Sequence, residues 1–238
     1  SIQASTYLKA IEAGVDVVDC SLGAMSGLTA QPNFNSVVAM MQGNERDCPL
    51  NLGLLNQYSN YWEDIRQIYY PFESELKAGT AEVYDNEIPG GQYTNLRGQA
   101  IALGVGDKFE VMKHNYVEAN KLFGDIVKVT PSSKVVGDMA IFMTANSLTA
   151  EDVYARGATL SFPESVKDFF KGGLGQPYGG FPKQLQEIIL KGDQAITGRP
   201  NDNITPIDFD KDFADFQAKF PENQEGFLDY LSYKMYPK

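Results

Sequence analysis

Apolar and polar positions alternate along this chain with the period of helices almost everywhere. Residues 2–13, "IQASTYLKAIEA", place their apolar side chains on one helical stripe, and Gly14 stops the run. One segment breaks the pattern. "VDVVDCSL", residues 15–22, is a short Val-rich run beside Gly14 and Gly23, which predicts a buried strand. "GAMSGLTAQPN" then reads as a loop, and residues 34–42 as a helix. Helix, strand, loop and helix form the repeating unit of a parallel α/β sheet. A parallel strand needs neighbours on both sides and cover on both faces. No second strand of that quality follows, so the expected partners lie upstream of Ser1.

The rest of the chain predicts helices. One spans 52–70 and ends at Pro71; another spans 92–103. Over 106–123, Phe109, Met112, Tyr116, Ala119 and Phe123 share a stripe, and over 132–146 Val135, Met139 and Phe142 share another. Thr149 with Asp152 matches a capping box. Pro163 opens a helix that Gly172 closes, and Pro182 opens one that Gly192 closes. Residues 193–208 read as a surface loop. Phe209, Phe213, Phe216 and Phe220 mark a further helix, and 221–235 a last one. These aromatic stripes are expected to be core.

Composition narrows the function classes. There are 20 Lys and Arg against 31 Asp and Glu, a net charge of −11, which disfavours nucleic acid and anionic membranes as partners. No apolar run approaches the ~18 residues of a membrane helix. Lys9 and Glu12 interrupt the N-terminal stretch, so no secretory signal is expected. Cys20 and Cys48 sit in no CxxC or zinc spacing, which points to a reducing compartment. The single histidine, His114, lies in a charged helical stretch and is expected to be a surface or packing residue. No spacing of metal ligands occurs, so no metal site is expected in this chain.

Three stretches could carry chemistry. In "KVTPSSKVVGD", residues 128–138, Thr130 can cap a helix and Pro131 suits its first position. Lys134 then stands in the first turn, where the helix dipole prefers an anion. One reading is a plain cap, with Ser132, Ser133 and Lys134 facing water. The other is a polar pocket for a carbonyl or carboxylate, built from free N–H groups, hydroxyls and a cation. A threonine hydroxyl donates and accepts together, so it can relay a proton without becoming charged. In "YDNEIPGGQYTNL", residues 84–96, Pro89-Gly90-Gly91 signals a tight turn into a helix. "LGAMSGLTAQP", residues 22–32, leaves the carboxyl end of the expected strand, where barrel enzymes place their sites.

These stretches carry a resemblance. "AGVDVVD", "MSGLTAQP", "YWEDIRQIYYPFES", "VYDNEIPGGQYTNL", "YVEANKLFGDIVKVTPSSKVVGDMA", "LSFPESVKDFFKGGLGQPYGGFP" and "LSYKMYP" run nearly end to end. Together they resemble the later part of the carboxyltransferase domain of the pyruvate carboxylase family. The oxaloacetate decarboxylase α subunit and a transcarboxylase subunit share this domain, but "TPSSK" and "PGGQYTNL" favour the pyruvate carboxylase branch. The resemblance implies a mainly α fold: the last α/β unit of a TIM barrel over residues 1–45, then a helical, funnel-shaped extension over 46–238.

It also implies biotin-dependent transfer of a carboxyl group from carboxybiotin to pyruvate, giving oxaloacetate. Thr130 matches the threonine that relays a proton between pyruvate and biotin; Ser133 and Lys134 match the pocket that receives biotin. A divalent metal such as Mn or Zn is implied on ligands upstream of this chain. Biotin is implied on a separate carrier domain, and ATP and bicarbonate at another domain. Implied partners are pyruvate or oxaloacetate, the carrier domain, the upstream barrel half and further copies of the chain; the implied location is the cytoplasm or the mitochondrial matrix. The isolated chain is expected to be inactive. The alternatives are the oxaloacetate decarboxylase α subunit and a non-catalytic helical packing or dimerisation module.

Overall fold

A computed structural model of the chain describes residues 3–74, 76–221 and 226–236, Asn203 by its backbone alone. The chain divides into two compact units, Ser1–Thr197 and Gly198–Lys238. The first holds α1 (Ala4–Glu12), α2 (Phe34–Met41), α3 (Leu52–Tyr69), α4 (Val83–Asn86), α5 (Gly90–Ala102), α6 (Phe109–Leu122), α7 (Ser132–Ala145), α8 (Ala150–Arg156), α9 (Glu164–Lys171) and α10 (Lys183–Leu190). The second holds α11 (Phe209–Lys219) and α12 (Phe227–Met235).

The local signals for helix ends are realised. Gly14 adopts φ +103 just beyond α1, and Gly172 adopts φ +95 at the end of α9. Thr149 and Asp152 form a reciprocal capping box at α8. Asn33 and Asn51 cap α2 and α3 by accepting backbone N–H groups. Two ends differ from expectation. Lys191 already takes a left-handed position at the end of α10, at φ +51, one residue ahead of Gly192 at φ +96. The last helix begins at Phe227 rather than 221, and residues 222–225 of that expected helix lie outside the described residues.

The strand expected over 15–22 does not form. Among the described residues there is no β-strand, only an isolated parallel bridge between Ser21 and Asn33. The reason is the one raised by the sequence: no neighbouring strand is present to take its hydrogen bonds. Val17, read as a buried strand residue, is 78% exposed.

Packing centres on α6 and α7, which lie against each other, with α5 and α9 alongside α7. Met112, Tyr116 and Ala119 of α6 and Phe123 just beyond it are buried against Val135, Val136, Met139 and Ala140 of α7. Burying one such large apolar side chain is worth roughly 1.5–3 kcal/mol. An aromatic knot ties α9 to the end of α6: the Phe123 ring stacks on Phe169 at 5.5 Å and meets Phe170 edge-on at 5.1 Å. In the second unit, Phe216 is buried among the rings of Phe220, Tyr230 and Tyr233. There the Tyr230 hydroxyl donates to Asp212 at 2.7 Å.

Candidate functional site at the mouth of α7

The three stretches singled out in the sequence meet in the first unit. Residues 22–26 are pinned to α3: Arg66 donates to the Ala24 carbonyl, and Ser59 Oγ accepts from Ala24 N at 2.9 Å. The same Arg66 forms a bidentate pair with Glu73, both contacts at 2.8 Å. Beyond this turn, Thr29 Oγ1 lies 2.6 Å from Thr94 Oγ1 of α5. A side chain on Gly90, the first residue of α5, would collide with the Thr29 carbonyl oxygen. That close approach is why a glycine stands there.

The stretch 84–96 in turn joins 128–138. Glu87 sits in the left-handed region at φ +56 and reaches Lys128 Nζ at 2.6 Å. Lys128, hydrogen-bonded to it, holds the Glu87 carboxyl below the ordinary carboxylate range. The Lys128 side chain is nearly buried, so the pair clamps the approach to α7. Gln92 of α5 occupies the space where a side chain on Gly137 of α7 would stand.

The helix itself begins at Ser132, with Pro131 in the capping position. Thr130 therefore does not cap it, contrary to the simplest reading of the sequence. Instead the Ser132 hydroxyl organises the turn. It lies 2.6 Å from Val129 O and 2.7 Å from Val127 O, and it accepts from Val129 N at 3.1 Å. Released from capping, Thr130 is exposed, and its hydroxyl has no hydrogen-bond partner among the described residues.

Ser133 does not face water, as the plain-cap reading had it; it is 4% exposed. Its carbonyl accepts a long hydrogen bond, 3.5 Å, from the Tyr116 hydroxyl. Tyr116 is wholly buried, and burial pushes its phenol up. Lys134 is exposed and pairs with Asp138 one turn further along α7. So the turn carries a free hydroxyl, a buried serine and an outward ammonium at the N-terminus of a 14-residue helix. Such an end offers N–H donors and a favourable field to an anion or a carbonyl oxygen.

The sequence reading missed four contributors: Gln92, Lys128, Asp138 and Ser165, whose hydroxyl donates to Asp138. Only Asp138 had a readable signal, its i,i+4 spacing from Lys134. The others depend on contacts between distant segments. His114 is exposed, in keeping with a surface role. Cys20 and Cys48 are both free. Among the described residues, no three His, Cys, Asp or Glu side chains gather where they could hold a metal ion, and no helix is long and apolar enough to cross a membrane.

Comparison with known proteins identifies the stretch. The family model described as the conserved carboxylase domain matches residues 83–238, which include all of α4 to α12. The pyruvate carboxylase of Bacillus subtilis (strain 168) is 47% identical over 233 residues, covering 98% of this chain and 20% of that protein. The chain thus spans about a fifth of the length of the curated relatives it matches. The carboxyl transferase domain from Rhizobium etli pyruvate carboxylase is similar in fold, with a TM-score of 0.92 at 46% identity, over 98% of this chain and 39% of that one. A structure of the same domain with oxamate and biotin matches equally well. The match covers more than half of the residues and the whole of the α7 mouth, and the chain belongs to the conserved carboxylase domain family.

Proposed function

We propose that this chain forms one wall of the carboxyltransferase site of a biotin-dependent pyruvate carboxylase, with Thr130 as its proton relay. On this reading residues 1–45 end a TIM barrel and residues 46–238 form the extension over it. The observation that carries the proposal is the exposed, unpartnered Thr130 hydroxyl beside Ser133 and Lys134. A relay needs a hydroxyl that the protein does not already occupy. Ser132 holds the turn by itself and so leaves Thr130 free.

When bound, biotin would yield its carboxyl group from the ureido nitrogen as that nitrogen takes up a proton. Thr130 Oγ1 would accept the proton leaving the pyruvate methyl and pass its own hydroxyl proton towards that nitrogen. The new carbon–carbon bond would form at the methyl carbon as the nitrogen–carboxyl bond is given up. Thr130 begins and ends neutral, which suits a site screened from water. Lys134 would place positive charge beside the transferred carboxylate. The mouth of α7 fits such a guest, since it presents donors and a cation to a carbonyl and a carboxylate.

The test is Thr130→Ala in the intact carboxylase. Loss of a positioned proton-transfer group is expected to slow carboxyl transfer by ~10²–10⁴-fold. Biotin carboxylation and folding should be unchanged, and Thr130→Ser should keep much of the activity. A nearly normal transfer rate in Thr130→Ala would leave the chain as a packing module instead.

A further inference from the structure

Lys134 is placed badly for helix stability. A cation in the first turn opposes the dipole, and a lysine four residues before an acid is the weaker order for an i,i+4 pair. Yet its ammonium is tied to Asp138, and Asp138 is tied in turn. The same carboxylate oxygen, Oδ2, accepts from both Lys134 Nζ and Ser165 Oγ. Ser165 is the second residue of α9, a separate helix packed along α7. The acid is the fixed member of the pair: its side chain is 17% exposed, against 57% for Lys134.

We propose that Asp138, braced by Ser165, is a positioning residue that fixes where the Lys134 ammonium waits for an incoming carboxylate near the α7 mouth. The inference rests on the reading of that mouth given above. A lysine stem has several freely rotating bonds and would otherwise sweep a wide volume. An ammonium has three donors. Asp138 takes one, and two remain for a ligand. The brace from α9 selects one orientation of the acid, so the anchor does not depend on α7 alone. The pair's role is thus to fix a charge in advance, which lowers the ordering cost when the ligand arrives.

The experiment uses the intact carboxylase and the transfer in its reverse sense, oxaloacetate decarboxylation with free biotin as acceptor. There the carboxyl leaves C3 of oxaloacetate for the ureido nitrogen, and the nitrogen's proton returns through Thr130 to carbon. Asp138→Asn is expected to raise the KM for oxaloacetate, whose carboxylate is the one transferred, about fivefold while kcat stays within about twofold, as expected when only placement of a binding charge is lost. Asp138→Glu should recover part of the loss. Ser165→Ala should shift KM the same way by less, and adding it to Asp138→Asn should change nothing further, since both act through one contact. The thermal midpoint should stay near that of the wild type.

Lys134→Gln separates the two levels of the argument. A raised KM in Lys134→Gln with an unchanged KM in Asp138→Asn overturns the positioning role and leaves the site reading standing. An unchanged KM in Lys134→Gln removes the binding role of the ammonium and this inference with it, while the Thr130 relay stands or falls by Thr130→Ala. A lowered thermal midpoint in Asp138→Asn with normal KM makes the pair merely structural, and also overturns the proposal.

Discussion

At the scale of single residues, the site depends on where the backbone leaves no room. Gly90 and Gly91 are adjacent and look alike in the sequence, as one turn signal. The structure separates them. A Cβ on Gly90 would collide with Thr29 O and stand 3.1 Å from its carbonyl carbon, whereas one on Gly91 meets nothing within 4 Å. The obstacle is backbone, which cannot swing aside as a side chain can. Gly90→Ala is therefore expected to destabilise the protein by about 1–3 kcal/mol. Gly91→Ala should be neutral or stabilising by up to ~1 kcal/mol, because alanine suits a helix better. Urea denaturation of both variants checks this, and equal midpoints would show that the close approach carries no weight. The difference was illegible in the sequence because Thr29 lies in another stretch altogether. Thr130, Ser133 and Lys134 were legible only as a cluster. Which of them caps, which is buried and which is free depended on Ser132 closing the turn, and no local rule ranks those hydroxyls in advance.

At the scale of elements, helices were legible where their ends are set by neighbours in sequence. The capping box of Thr149 and Asp152 and the glycine after α9 are such cases. The Val-rich run at 15–22 was not, since a strand exists only if another strand pairs with it. The short helix α4 was missed because four residues carry no periodic signal. What fixes the segment around α4 is a polar network. The side chain of Lys113 on α6, only 9% exposed, pairs with Glu82 and with Glu110, each at 2.9 Å. The Tyr93 hydroxyl of α5 also donates to Glu82, at 3.1 Å. Hydrogen bonding by Lys113 holds the Glu82 carboxyl below its ordinary value of 4.5; burial opposes the shift, and Tyr93 reinforces it. A carboxylate with a lowered folded-state pKa contributes stability above its ordinary pKa and loses it as pH falls through the folded value. Glu82→Gln is thus expected to be less stable than the wild type at pH 7. The gap should shrink as the pH drops below 4.5. Denaturant midpoints across that range measure it, and a gap that stays constant with pH would mean that the Glu82 charge contributes nothing.

At the scale of the whole molecule, a large apolar surface is left uncovered. None of the 18 residues of α3 is buried. Tyr58, Tyr61, Ile68 and Tyr69 along it, and Tyr70 and Phe72 just after it, are exposed, Phe72 at 86%. Val15 and Val17 of the unpaired run are exposed too. Scattered exposed apolar residues are ordinary, but a continuous helix carrying this many aromatics is a contact surface. The proposed function supplies what would cover it: the remainder of a carboxyltransferase domain. The isolated 238-residue chain is then expected to associate as its concentration rises, to bind a hydrophobic dye, and to turn over no oxaloacetate with added divalent metal and biotin. Trp62 on α3 is the one tryptophan in the chain and is 39% exposed, so its emission reports on this surface directly. The emission should shift to shorter wavelength on association, and Tyr70→Ser with Phe72→Ser should weaken both the association and the shift. A chain that stays monomeric and dye-free at high concentration, or that decarboxylates oxaloacetate unaided, would show that this surface needs no cover and that the site is complete without the rest of the domain.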